Sequence, residues 1–262
     1  MSLSIDMSHL HLPAPAYVAG VRVDRVSQLQ TLDAIEQIIA MRRQHDNQVQ
    51  CQQIVTVNPE FLMVAQRNNA FRTAINEAAL VVADGMGIVW ATRYLREAVP
   101  ERITGTDLLP ELARRCATKG YRLYLLGAAP GVAELAAERL CALAPGLQIA
   151  GTYAGSPAPG EETAIIERIR NTQADVLCVA YGAPAQDLWI KRNLPHLPAA
   201  VAIGVGGAYD FLSGRQQRAP QIMQRRGFEW LYPFYGDPGR GLRLFPLPQS
   251  ALVVLLKGRG KA

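Results

Sequence analysis

Arg122-Leu123-Tyr124-Leu125-Leu126-Gly127-Ala128-Ala129-Pro130-Gly131 runs from a short apolar stretch into a glycine turn. The turn opens an amphipathic segment, 131–144, that stacks Val132, Leu135, Ala136, Leu140 and Leu143 at helical spacing. An apolar run that does not alternate with polar residues suits a strand covered on both faces. The same grammar recurs on either side. Strands are predicted at 17–23, 53–57, 80–83, 122–126, 147–151, 176–180 and 200–204. Helices are predicted at 27–43, where Leu32, Ile35, Ile38 and Ile39 share a face, and at 106–119, where Leu108, Leu109, Leu112, Ala113 and Cys116 do. Strand–helix alternation implies an α/β, Rossmann-like, mostly parallel sheet with helices on both faces.

Of the 262 residues, 49% are hydrophobic and 19% charged, which is enough apolar material for a real core. Cys51, Cys116, Cys141 and Cys178 form no C-x-x-C pair, so neither a disulfide framework nor a zinc site is expected, and the compartment is expected to be reducing. His9 and His11 read as part of a Pro-flanked terminus rather than as metal ligands. No apolar run approaches the ~18 residues of a spanning helix. The N-terminus has no Lys or Arg before Arg22 and carries Asp6, unlike a signal peptide.

Charge divides the chain. Residues 214–262 hold nine Lys/Arg against Glu229 and Asp237, a net +7, whereas 1–213 is −2. The expected organisation is a Rossmann-like catalytic domain over 1–213 and a basic C-terminal appendage over 214–262. A basic tail points to an anionic partner such as phosphates or a membrane surface. No base-reading motif is present, so nucleic acid is not expected. A helix is expected over 220–232, with Pro233, Pro238, Pro246 and Pro248 breaking the chain beyond it.

Ligands of parallel sheets bind at the carboxyl ends of strands. The loops there are T-V-N-P-E (56–60), A-D-G-M-G (83–87), L-G-A-A-P-G (126–131), Y-G-A-P-A-Q-D (181–187) and G-V-G-G-A-Y-D-F (204–211). Each residue has a structural reading and a chemical one. Asp84 is a turn and capping aspartate, or a base that takes a proton from an attacking hydroxyl. Asn58 is an N-cap before Pro59, or, with Thr56, a pair that positions sugar hydroxyls. Gly127 belongs to a plain strand–helix turn, or to a phosphate cradle. Gln186, after Gly182 and Pro184, opens a helix, or binds a base or sugar edge. Arg102 is a surface cation, or an anion contact, and Asp107 starts a helix. Spacing that is not G-x-G-x-x-G, without an acid near Gly151, gives a nicotinamide site little support.

These loops, together with R-I-T-G-T-D-L, Y-L-L-G-A-A-P-G-V-A-E, G-A-P-A-Q-D-L-W, G-G-A-Y-D-F-L-S-G-R-Q-Q-R-A-P and G-F-E-W-L-Y, resemble the WecG/TagA/CpsF glycosyltransferases in order and spacing, over roughly 17–243. The resemblance implies an inverting transfer of a hexosyl group from a UDP-sugar to a polyprenyl-diphosphate-linked sugar, in cell-surface polysaccharide synthesis. N-acetylmannosamine is the first expectation for the donor and UDP-glucose, in exopolysaccharide assembly, the alternative. It further implies a peripheral enzyme at the cytoplasmic face of a bacterial membrane, with homo-oligomers in keeping. Carried over by position, Asp84 resembles the catalytic base, and Thr56 and Asn58 the positioning residues. Arg102 and Gln186 resemble further contacts, and Arg240 and Arg243 basic residues of an appendage that closes over the donor diphosphate. No D-x-D occurs, which suits fixed cations and backbone amides in place of a metal; no cofactor is expected. Ala185 and Asp187 depart from the family's P-K-Q-E, and Pro233 stands where a basic residue commonly follows W-L-Y. A non-catalytic nucleotide- or polyanion-binding module shares the glycine loops and basic tail but gives Asp84 no role.

Overall fold

A computed structural model describes residues 12–45, 49–220, 223 and 246–260. Six parallel strands form the sheet: β3 (Gln52–Val57), β4 (Leu80–Ala83), β5 (Arg122–Gly127), β6 (Gln148–Tyr153), β7 (Val176–Ala180) and β8 (Val201–Gly204), in the order β4-β3-β8-β7-β5-β6. Successive residues of a strand face opposite sides. Leu123 and Leu125 thus enter one core, with helices α1 (Gln28–Gln44), α5 (Gly105–Lys119) and α6 (Val132–Leu143). Tyr124 and Leu126 enter the other side with α7 (Glu162–Arg170) and α8 (Ala185–Asn193). Val55 and Val81 pack on that side's far end with α2 (Pro59–Ala65), α3 (Asn69–Asn76) and α4 (Met86–Tyr94). Strands buried on both faces are why the sequence reads as unbroken apolar runs.

Side chains set the helix ends. Ser27 and Gln30 form a reciprocal capping box at α1, with Gln30 N donating to Ser27 Oγ (3.2 Å) and Ser27 N to Gln30 Oε1 (2.9 Å). A short helix, α9 (Ala208–Leu212), follows β8.

Two expectations are corrected. The stretch 17–23 is not one strand but a hairpin, β1 (Ala16–Val18) and β2 (Val21–Val23), turned by Ala19 and Gly20 at φ 50° and 81°. A Cβ on Gly20 would lie 2.8 Å from the Gly260 carbonyl oxygen, because the C-terminal segment docks there: Ala19 N donates to Gly258 O (3.0 Å) and Gly20 N to Arg259 O (3.1 Å). Secondly, Pro246 and Pro248 do not break the chain. They lie in the first turn of α10 (Pro246–Lys257), where backbone N–H groups have no intrahelical acceptor to lose. Helix α10 packs on α2 and α4. Its end is fixed by Lys257 Nζ to Gln66 Oε1 (2.7 Å) and by an Arg259–Glu97 ion pair (3.1 Å). Residues 224–232 and Pro233 lie outside the described residues, as do all but Pro220 and Met223 of the helix expected over 220–232.

Candidate active site

The carboxyl ends of β4, β3, β8 and β7 open into one cleft of about 460 Å³. That size suits a small organic ligand. Thr56, Asn58, Asp84, Gly182 and Gln186, from the segments that end β3, β4 and β7, all line it.

Asp84 follows the last residue of β4, and its N–H continues the ladder to Val57 O (2.7 Å). Gly85, at φ 107°, then turns the chain sharply into α4. A Cβ there would come within 3.4 Å of Pro59 Cδ, so the Asp84 turn sits close against the start of α2. The neighbouring strand β3 supplies Thr56, whose hydroxyl donates to Gly204 O on β8 (3.4 Å). Asn58 caps α2 by accepting the Phe61 N–H at Oδ1 (3.0 Å). The capping reading and the cleft position therefore hold together: the oxygen serves the helix, and the NH₂ is the half suited to a substrate oxygen.

Gln186 follows the same logic. It is buried, and its Oε1 accepts the Gly206 N–H (3.1 Å), tying α8 to the glycine loop after β8. Glycine at 204 leaves room for these side chains, since a Cβ would fall 2.5 Å from Gln186 Nε2 and 2.9 Å from Asp187 Oδ1. Asp187, next to Gln186, is fully buried, and neither carboxyl oxygen makes a well-formed hydrogen bond among the described residues; the Gln186 amide and the Asp187 backbone only partly offset the burial. Burial pushes this carboxyl up to about 7.

Two further candidates, Gly127 and Arg102, lie away from the cleft lining. Gly127 does not line the cleft. At φ 99° it lies against the Ala180 backbone, 2.8 Å from where a Cβ would stand, so strand packing demands it. Arg102 is also off the lining and reaches Asp107 Oδ2 (3.4 Å). Asp107 does start a helix, as the acidic third residue of α5, and Thr104 is the cap, its Oγ1 accepting Asp107 N (3.0 Å) and donating to Asp107 Oδ2 (2.8 Å). Arg218 completes the group with bonds to both carboxyl oxygens (2.5 and 3.1 Å). Burial alone would raise the Asp107 carboxyl, but hydrogen bonds from Arg218 and Thr104 and the charges of Arg218 and Arg102 outweigh it and hold it low. Arg218 lines the cleft, as do Glu60, Thr104, Thr106 and Phe211, none of which was singled out as a site residue. The only signal for Arg218 was its place in G-R-Q-Q-R-A-P, where it counted as one tail charge among nine. Arg240 and Arg243 lie outside the described residues.

The family model "Glycosyl transferase WecG/TagA/CpsF family" matches residues 16–262. The chain belongs to this glycosyl transferase family. Among its relatives, proteins of Bacillus spizizenii and Staphylococcus aureus (strain MW2) are both named N-acetylglucosaminyldiphosphoundecaprenol N-acetyl-beta-D-mannosaminyltransferase. The first is 32% identical over 209 residues, 80% of this chain and 80% of the relative; the second is 31% identical over 231 residues, 88% of each. The family match takes in both the sheet that builds the cleft and the docked helix α10.

Proposed function

We propose that the protein transfers an N-acetylmannosaminyl group from UDP-N-acetylmannosamine to an N-acetylglucosaminyl diphospho-polyprenol, with inversion. The observation that carries this reading is the meeting of Asp84, Thr56, Asn58 and Gln186 at one cleft, in a chain of this family. The acceptor hydroxyl oxygen attacks the anomeric carbon on the face opposite UDP. The bond from that carbon to the diphosphate breaks, UDP leaves with the electron pair, and the hydroxyl proton passes to the Asp84 carboxylate. Thr56 and the NH₂ groups of Asn58 and Gln186 orient sugar oxygens, so that the attack starts from a productive geometry. Arg240 and Arg243 close over the donor diphosphate from the 214–262 appendage.

The appendage also serves as the membrane contact. Among the described residues no helix is long and apolar enough to cross a membrane. Helix α10, however, exposes Leu252, Leu255 and Leu256, next to Lys257 and Arg259, and α4, on which it packs, exposes Trp90 and Tyr94. Apolar side chains flanked by cations suit an anionic lipid surface, where a substrate with a polyprenyl tail resides.

Incubation with UDP-N-acetylmannosamine or UDP-glucose and a short-chain lipid-diphosphate acceptor tests the proposal. UDP release is expected with the first donor and only with acceptor present. Release from UDP-glucose alone would move the protein to the glucosyl reading, and release from neither would favour a non-catalytic nucleotide-binding module.

A further inference from the structure

The cleft carries two carboxylates, Asp84 and Glu60, yet a UDP-sugar transferase must hold a diphosphate in it. Among the described residues that line it, Arg218 is the one cation. Its guanidinium is held end-on, Nη1 to Asp107 Oδ1 at 2.5 Å and Nη2 to Oδ2 at 3.1 Å. Two-point pairing of this kind fixes the guanidinium plane. Asp107 is off the cleft lining and is itself immobilised by Thr104, with which it exchanges two hydrogen bonds. Arg102 reaches the same carboxylate from the loop before α5. The first turn of α5 brings its Thr104–Gly105–Thr106 backbone to the same wall, and its helix dipole adds positive potential there. Gly105 allows the close approach, since a Cβ would lie 3.1 Å from Val205 O.

We propose that Arg218, aligned by Asp107 and braced by Arg102, is a cation that grips a substrate diphosphate in this cleft. The inference rests on the reading of the protein as a UDP-sugar transferase. Arg218 touches the diphosphate; Asp107 and Arg102 are positioning residues. The bond to the anomeric carbon breaks with its electron pair going to the diphosphate. A guanidinium already held in place therefore stabilises the transition state more than the bound donor. Two substrates carry the same group, the UDP donor and the lipid-linked acceptor.

The test uses the full chain and its Arg218→Gln, Arg218→Lys and Asp107→Asn variants. UDP and UMP are titrated into each, and KM is measured for the UDP-sugar and for a short-chain lipid diphosphate. If the donor is gripped, the preference for UDP over UMP falls about tenfold in Arg218→Gln and Asp107→Asn, with UMP affinity unchanged, as expected for the loss of one charge-assisted contact. Arg218→Lys, charged but without the fork, recovers only part. If the acceptor is gripped, the nucleotide preference stays and the lipid-diphosphate KM rises by a similar factor. Unchanged preference and unchanged KM values overturn the proposal. So does an equal loss of UDP and UMP affinity with a lowered melting temperature, which marks a purely structural role. Wild-type protein that turns over while the variants lose nothing refutes the clamp alone. Wild-type protein that shows the UDP preference, and its loss in the variants, without transferring sugar refutes the activity alone.

Discussion

Asn58 does two jobs with one amide, and the two can be separated. Asp caps a helix about as well as Asn, so Asn58→Asp should keep the α2 cap and the melting temperature. It replaces the NH₂ donor with a second carboxylate beside Asp84. Transfer should then fall by at least about tenfold, the scale of one lost hydrogen bond next to an added charge. Equal activity would show that Asn58 is a cap and nothing more. Asp187 is a different case, a buried carboxyl raised from the ordinary ~3.9 to about 7. A raised acid binds a proton in the folded state that the unfolded chain has already released. Its contribution is therefore fully present below the ordinary carboxylate range and is lost as pH rises through about 7. Asp187→Asn cannot charge, so its melting temperature should exceed wild type more at pH 8 than at pH 5. The gain should be roughly 2–4 °C per kcal/mol of charging penalty. Melting curves at the two pH values check this, and a pH-independent difference would contradict it.

Helix α10 carries the prediction that belongs to an element. Leu252, Leu255 and Leu256 are 56%, 61% and 76% exposed, while Val254 faces the packed side. Replacing Leu252 and Leu256 together by Asp should leave the fold and UDP binding intact. Co-sedimentation with anionic phospholipid vesicles should drop by more than about tenfold, because ~0.8 kcal/mol is lost for each CH₂ no longer buried in lipid. Undiminished vesicle binding would place the membrane contact elsewhere. This helix was also the least legible element in the sequence. Pro246 and Pro248 looked like breakers, although a helix tolerates proline in its first turn, and local reading does not show where a turn begins. The hairpin at 16–23 was hidden for a related reason, since Ala19 adopts a positive φ that its residue type does not announce. The central strands were legible because burial on both faces writes an unbroken apolar run. Strands β4 and β7 begin and end where Leu80–Ala83 and Val176–Ala180 do.

In the molecule as a whole, the site is gathered by strand order, which the chain does not spell out. Sequence places Thr56 and Gln186 130 positions apart; the order β4-β3-β8-β7 brings their loops together. The loops after strands could be read as polar and glycine-rich, but which of them face one another could not. Gly127 and Arg102 lie off the cleft lining, whereas Arg218, one of the nine charges of the basic tail, lies on it. The Asp107 group contributes to the stability of the molecule in acid. Its depressed carboxyl stabilises the fold above the ordinary carboxylate range, and that contribution is lost as pH falls through its lower folded value. Asp107→Asn should accordingly flatten the loss of stability below about pH 4, the unfolded carboxylate range; urea titrations at pH 3 and pH 6 check it. In the proposed reaction Asp84 receives the acceptor's proton. It is tested most directly by UDP release from UDP-N-acetylmannosamine with a short-chain lipid-diphosphate acceptor, wild type against Asp84→Asn, with UDP affinity measured alongside. The expected result is a fall in kcat of about 10²–10⁴, the usual contribution of a positioned base, with UDP affinity kept. An Asp84→Asn protein that turns over at the wild-type rate would leave Asp84 a turn aspartate and not the base.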